Sequence, residues 1–289
     1  MKPGRFQHFV AIDWSGAKGP RQKGIAIALC KLDGGAPTLV RTGHRWSRAE
    51  VLEWLLTELP TDCLIGLDLS PGFPFDDVGA YFPGWPESPA TARELWRMVD
   101  AHGQDGDHLS ANHFIAQPQV HRHFRHGKGD CGDLFTGGAG RMRRTEDRQR
   151  LLKLSPSSCF NLVGAAQVGK SSLTGMRVLH RLDEAIPVWP FVDVPVAGPL
   201  IVEIYTSLAA RAAGIPPGRS KMLTAKELDD ALERLGVGNH MPLPRYTDHA
   251  TDAILTSAWL RYAAGDGNLW SPDGLSDVAQ TEGWTFGVQ

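Results

Sequence analysis

FVAIDW at residues 9–14, GIAIALC at 24–30 and CLIGLDL at 63–69 are short apolar runs of strand-forming residues, separated by Gly, Pro and polar turns. Between the second and third runs, Ser47-Arg48-Ala49-Glu50 is a capping box. It is followed by Val51, Leu52, Leu55, Leu56 and Leu59 at helical spacing and is stopped by Pro60. Two or three strands, one helix and then another buried strand predict a mixed α/β sheet that begins as an antiparallel meander. Outward from this block, PLIVEIY at 199–205 reads as a further strand and residues 171–182 as a helix. Thr224-Ala225-Lys226-Glu227 is a second capping box, leading a helix that Gly236 closes. A last long helix starts near Asp248, which suits an N-cap, and runs to Gly265.

The chain has 289 residues, 42% hydrophobic and 21% charged, a soluble globular composition that excludes a disordered tail or a coiled coil. One domain over 1–289 is expected. The net charge of -2 means that any polyanion must be met by a local patch. No apolar run reaches the roughly 18 residues of a membrane span, and Asp13 interrupts any signal-peptide core, so a cytoplasmic address is the expectation. Cys30, Cys63, Cys131 and Cys159 form no CxxC pair and read as free thiols.

Texture changes after Pro71, where Gly, Pro, His and Arg become dense and strand patterning stops. Residues 83–150 read as a helical and loop insertion. Within it Arg122, Arg125, Lys128, Arg141, Arg143, Arg144, Arg148 and Arg150 outnumber Asp130, Asp133, Glu146 and Asp147. Arg141, Arg143 and Arg144 are therefore candidate nucleic-acid contacts, or else a solvated helix face paired to Glu146 and Asp147. His121, His123, His126 and Cys131 have no familiar structural-zinc spacing and read as solvated loop.

Acids punctuate the predicted core. Asp13 and Asp68 each end an apolar strand, Glu203 lies inside a third, and His249 and Asp252 stand three apart on one face of the last helix. Sheets of this class place ligands at strand ends. If the strands of Asp13 and Asp68 are parallel neighbours, about 4.8 Å apart, their carboxylates can share a hard divalent cation. Each Asp alone also reads as a turn residue leaving its strand. Asp252 falls in line with Leu255, Trp259 and Tyr262, a core-facing stripe in which an unpaired carboxylate is costly.

AIDWSG with Asp13, IGLDLSPG with Asp68, and His249-Ala250-Thr251-Asp252-Ala253 together resemble the RNase H-like nucleases, in particular the RuvC-type branch. In those proteins an Asp on strand one, an acid on strand four, and an acid or His three residues before a final Asp hold two divalent cations. More closely, VAIDWSG, IGLDLSPG, NLVGAAQVGKSSLTGM, VWPF at 188–191, VEIY and HATDAI look like the family catalogued as domain of unknown function 429, regarded as nucleases of RNase H-like fold. The likeness covers most of the chain outside 83–150. It implies an RNase H-like mixed sheet flanked by helices, with the insertion after its fourth strand. It also implies Mg2+ or Mn2+ on Asp13, Asp68 and Asp252, with His249 and Glu203 as further site residues. The chain departs from the pattern in offering His249 where an acid is common, which lowers the expected metal affinity.

Three rival readings stand beside this one. Gly164-Ala165-Ala166-Gln167-Val168-Gly169-Lys170-Ser171 matches GxxxxGK[ST], a phosphate loop in which Lys170 would reach the terminal phosphates and Ser171 would hold magnesium. Asp13-Trp14-Ser15-Gly16 looks like the first phosphate-binding turn of the sugar-kinase and actin-like group, although the chain is too short for two such domains. A catalytically inactive nucleic-acid-binding protein is the third. The expectation is a metal-dependent phosphodiesterase or nuclease that meets nucleic acid through the basic insertion.

Overall fold

A computed structural model describes residues 5–104, 106–136, 138–164, 167–182, 185–216 and 221–289. In chain order the elements are β1 (His8–Asp13), β2 (Ala26–Lys31), β3 (Thr38–Leu39), α1 (Arg48–Thr57), β4 (Cys63–Leu67), α2 (Ala92–Ala101), α3 (Asn112–Ile115), α4 (Pro118–His121), β5 (Arg125–Gly127), β6 (Asp130–Cys131), α5 (Arg144–Leu151), α6 (Val168–Leu182), β7 (Leu200–Glu203), α7 (Thr206–Ala212), α8 (Ala225–Arg234), α9 (Asp248–Ala263) and α10 (Leu275–Val278). Five strands form one mixed sheet in the order β3-β2-β1-β4-β7. β1, β2 and β3 are the antiparallel meander, while β4 and β7 run parallel to β1.

Period-two alternation splits the sheet's side chains between two cores. Val10, Ile12, Ile65 and Leu67 pack with Trp54 of α1, Trp96 of α2 and Leu173 of α6. Phe9, Ala11, Leu64, Leu200 and Val202 pack with Leu208 of α7, Leu228 of α8 and Ile254 of α9. Each large apolar side chain buried in this way contributes about 1.5–3 kcal/mol. Helix α9 comes close to β4 because Gly66 has no side chain; a Cβ there would stand 2.5 Å from Ile204 Cγ2 and 3.0 Å from Leu260 Cδ1.

Several local expectations are revised. The insertion carries a short hairpin, β5–β6, as well as helices. The cap of α9 is Thr247, whose hydroxyl accepts the Ala250 N–H, which makes Asp248 its first helical residue. Tyr262 is exposed whereas Leu255 and Trp259 are buried, so the apolar stripe ends a turn early. Among the described residues no helix is long and apolar enough to cross a membrane.

Candidate active site

Parallel pairing of β1 with β4 aligns Ile12 with Leu67, so Asp13 and Asp68 are the next residues on neighbouring strands, where the spacing is about 4.8 Å. The Asp68 N–H donates to Ile12 O at 3.0 Å. Parity then sets direction. Asp13 continues the Phe9 and Ala11 series and Asp68 the Leu64 and Gly66 series, toward the core that contains α9. The first turn of α9 presents His249 and Asp252 to the same place, and His249 Nδ1 lies 3.2 Å from Asp13 Oδ2. Gly24 leaves room for that ring, since a Cβ there would come 3.2 Å from His249 Cε1.

These groups surround a cavity of about 340 Å³ whose lining, among the described residues, includes Asp13, Asp68, Glu146, Glu203, Asp248, Asp252 and His249, and no Lys or Arg. Burial pushes the Asp68 carboxyl well above the ordinary range, and Asp13, Asp252 and Glu203 push it further. Burial, then Asp13 and Asp248, lifts Asp252 to about 7 against the opposing pull of His249 and Lys221. Burial also raises Asp13, opposed by its hydrogen bond from His249. The same bond raises His249. Among the described residues, neither the Asp68 nor the Asp252 carboxylate has a side-chain hydrogen bond or ion pair. A cluster of this kind takes up either protons or a cation. Carboxylate oxygens with one imidazole suit a hard or borderline divalent ion such as Mg2+ or Mn2+. Among the described residues no three His, Cys, Asp or Glu side chains already stand in a ligating arrangement.

Glu203 borders the cavity from the other side of the sheet. It pairs with Leu67 rather than with Asp68, so its carboxylate is out of step with the two aspartates. Both of its oxygens are occupied: Arg143 donates to Oε2 at 2.8 Å and to Oε1 at 2.5 Å, and Thr285 Oγ1 donates to Oε1 at 2.8 Å. Glu203 therefore holds Arg143 instead of completing a ligand set.

The arginine reading changes for the same reason. Arg143 is fully buried between Glu146 and Glu203, and it cannot reach a phosphate on another molecule. Its neighbours hold its guanidinium charged, against the desolvation that opposes it. Arg141 pairs with Asp77 at 2.5 Å and donates to the Pro74, Ala80 and Tyr81 carbonyls. Arg144 bridges Asp76 and Asp277, each at 2.6 Å. Arg143 ties the insertion to β7, Arg141 ties it to residues 74–81, and Arg144 ties it to Asp76 and α10. Glu146 is the partner that the sequence already offered; the other acids that pair with these arginines come from distant segments.

The phosphate-loop match also meets a different structure. Ala165 and Ala166 lie outside the described residues. Residues 159–163 are not a strand of the sheet, and Gly169, Lys170 and Ser171 donate their N–H groups to Asn161 O, Gln167 O and Gln167 O. Those amides are not offered to a ligand. Gly169 serves close approach, since a Cβ would fall 2.3 Å from Cys159 O. The histidines of the insertion do not converge either: His123 is buried among Phe82 and Phe160, and His121 stacks on His126.

A scan against protein-family models, a search of curated proteins and a search of solved structures each returned no match.

Proposed function

We propose that the protein is a divalent-metal-dependent phosphodiester hydrolase, a nuclease of RNase H-like fold. The observation that carries this reading is the meeting of Asp13, Asp68 and Asp252 around one cavity, with no Lys or Arg among its described lining residues, at the carboxyl ends of two parallel strands. The sheet order β3-β2-β1-β4-β7, with an antiparallel meander followed by parallel strands, supports the RNase H-like assignment. Asp13, Asp68 and Asp252 would hold Mg2+ or Mn2+. When bound, such a cation supplies Lewis acidity and charge neutralisation for attack of water on the phosphorus and departure of the ester oxygen.

The chain's own groups do the rest. Asp13 fixes the His249 ring through Nδ1 and keeps it protonated to higher pH than usual, which leaves Nε2 to hold a proton toward the departing oxygen. Arg143 pairs with both Glu146 and Glu203, one positive charge against two carboxylates, and Asp248 is met by Lys221 at 2.7 Å, so among the described residues Asp68 and Asp252 are the cavity aspartates left without an ion pair. Calorimetric titration with MnCl2 tests the reading. Wild type binds, and Asp13→Asn and Asp68→Asn weaken binding at least about tenfold, the scale on which single ligands act. Wild-type protein that takes up no Mn2+ at millimolar concentration overturns it.

A further inference from the structure

Beside the acidic cavity lies a second groove, of about 450 Å³, with the opposite charge. Among the described residues Lys23, Arg41, Arg45 and Arg245 line it and no Asp or Glu does. Arg41 is committed to Glu58 and lies over the Trp46 ring. Lys23, Arg45 and Arg245 are exposed, and among the described residues their side chains have no ion pair or hydrogen bond. They stand in contrast to Arg141, Arg143 and Arg144 of the insertion, each of which is ion-paired. The floor is apolar, formed by Ile25, Ile27 and Leu39. His249 is the residue that the two cavities share. A path therefore runs along the N-terminus of α9 from a place that collects cations to one that collects anions.

We infer that this groove binds a single-stranded segment of nucleic acid next to the bond that is cut, with Lys23, Arg45 and Arg245 contacting its phosphates. The inference rests on the nuclease reading for the position of the scissile bond. Unpaired cations around a concavity repel one another until an anion enters, and a groove that continues beyond the acidic cavity is needed only by a substrate with more than one phosphate. The concave, apolar floor favours unpaired bases over the closed edge of a duplex, as in grooves that combine a cationic track with base contacts. The volume lies within the range of about 300–1,000 Å³ usual for ligand clefts.

The test uses full-length protein and a fluorescein-labelled oligothymidylate of about twelve nucleotides, in EDTA so that no hydrolysis intervenes. Each phosphate contact on a single strand contributes about 0.7 to the slope of log affinity against log salt. Wild type is expected to bind, and the triple variant Lys23→Ala/Arg45→Ala/Arg245→Ala to lose about two units of slope and at least about tenfold in affinity near 50 mM salt. Lys23→Arg/Arg45→Lys/Arg245→Lys, which keeps the charges, should retain the wild-type slope, and Mn2+ uptake should be unchanged in both. The inference is overturned if the alanine variant keeps the full slope, if wild type does not bind the probe at low salt, or if a duplex of the same length binds more tightly through the same three residues. Mn2+ uptake with no probe binding removes the groove and leaves the metal site standing. Slope loss in the variant without any Mn2+ uptake by wild type removes the metal site and keeps the groove.

Discussion

The two cavities on either side of His249 are built from the same end of the same sheet, yet among the described residues one is lined by acids with no Lys or Arg and the other by Lys and Arg with no Asp or Glu. Backbone parity explains the first. Asp13 and Asp68 extend side-chain series that face α9, and the helix adds Asp252, so three carboxylates meet beside His249 in a cavity with no Lys or Arg among its described lining residues. Loop position explains the second. Lys23 lies ahead of β2, Arg45 ahead of α1 and Arg245 ahead of α9, three connections that gather beside the end of β1. The two charges are separated within one small region by the placing of side chains in space, and not by charge density along the chain.

The largest effect should come from removing the acid cavity's central member. Asp13→Asn deletes one carboxylate and weakens the bond that orients His249. Hydrolysis of any phosphodiester probe that wild type cleaves should drop by at least about a hundredfold, the upper end for loss of a metal-site group. Oligothymidylate binding in EDTA should be unchanged or stronger, because a nearby negative charge has gone. An unaltered cleavage rate would break the comparison at its acidic end.

Next in size is the boundary between the acids that share Arg143 and the three aspartates. Arg143→Met leaves Glu146 and Glu203 buried without their partner, which should destabilise the protein by about 3–5 kcal/mol in denaturant unfolding. Arg144→Ala removes only half-exposed pairs with Asp76 and Asp277 and should cost less than about 1 kcal/mol. Equal losses in the two variants would mean that the buried network does not set the boundary.

Asp252 supplies the pH test. Its carboxyl titrates near 7 in the fold but near 3.9 in an unfolded chain, so between about pH 4 and 7 the unfolded state ionises first and the fold loses stability as pH rises. Asp252→Asn has no such group. Without metal, the stability of the variant relative to wild type should therefore grow from pH 4 to 7 and level off above that. The change should be about 2 kcal/mol, roughly half of what the full shift would carry, because the cavity is partly open to solvent. Saturating Mn2+ should cancel the difference above pH 7. A difference that stays constant across this range would show that Asp252 is not held among like charges.

Much of this arrangement is legible in the sequence. Asp13 and Asp68 follow runs whose length and residue types mark strands, and the spacing of His249 and Asp252 fixes their common face. Glu203 is harder, because its parity relative to Asp68 depends on a register that strand composition does not contain: it pairs with Leu67, one residue short. Arg143 sits in the most basic stretch of the chain and is nonetheless its most deeply buried cation, because Glu203, sixty residues away, and Glu146 enclose it. The groove cations are the reverse case. Lys23, Arg45 and Arg245 are spread across most of the chain, so no window of sequence is basic enough to reveal them.

The smallest effect is expected at Lys170, and it sharpens the comparison by asking whether any cation near the site would serve, since Lys170 is half-buried. Lys170 and Lys18 line a separate cavity of about 280 Å³ that also includes Arg48 and Asp107. Burial and Lys18 lower the Lys170 ammonium below its usual range. The start of α6 is closed to phosphate, because Gly16 packs directly on it: a Cβ at Gly16 would lie 2.4 Å from both Lys170 C and Ser171 N. Lys170→Ala should therefore leave the salt slope for oligothymidylate within about 0.3 of wild type, less than half of one phosphate contact. It should also leave ATP unbound, as in wild type. Gly16→Ala, by contrast, should unfold at lower denaturant, since the added methyl meets main chain that cannot move aside. Micromolar ATP binding that disappears in Lys170→Ala would restore the phosphate-loop reading, and a slope loss of about 0.7 would extend the nucleic-acid track to this side of β1.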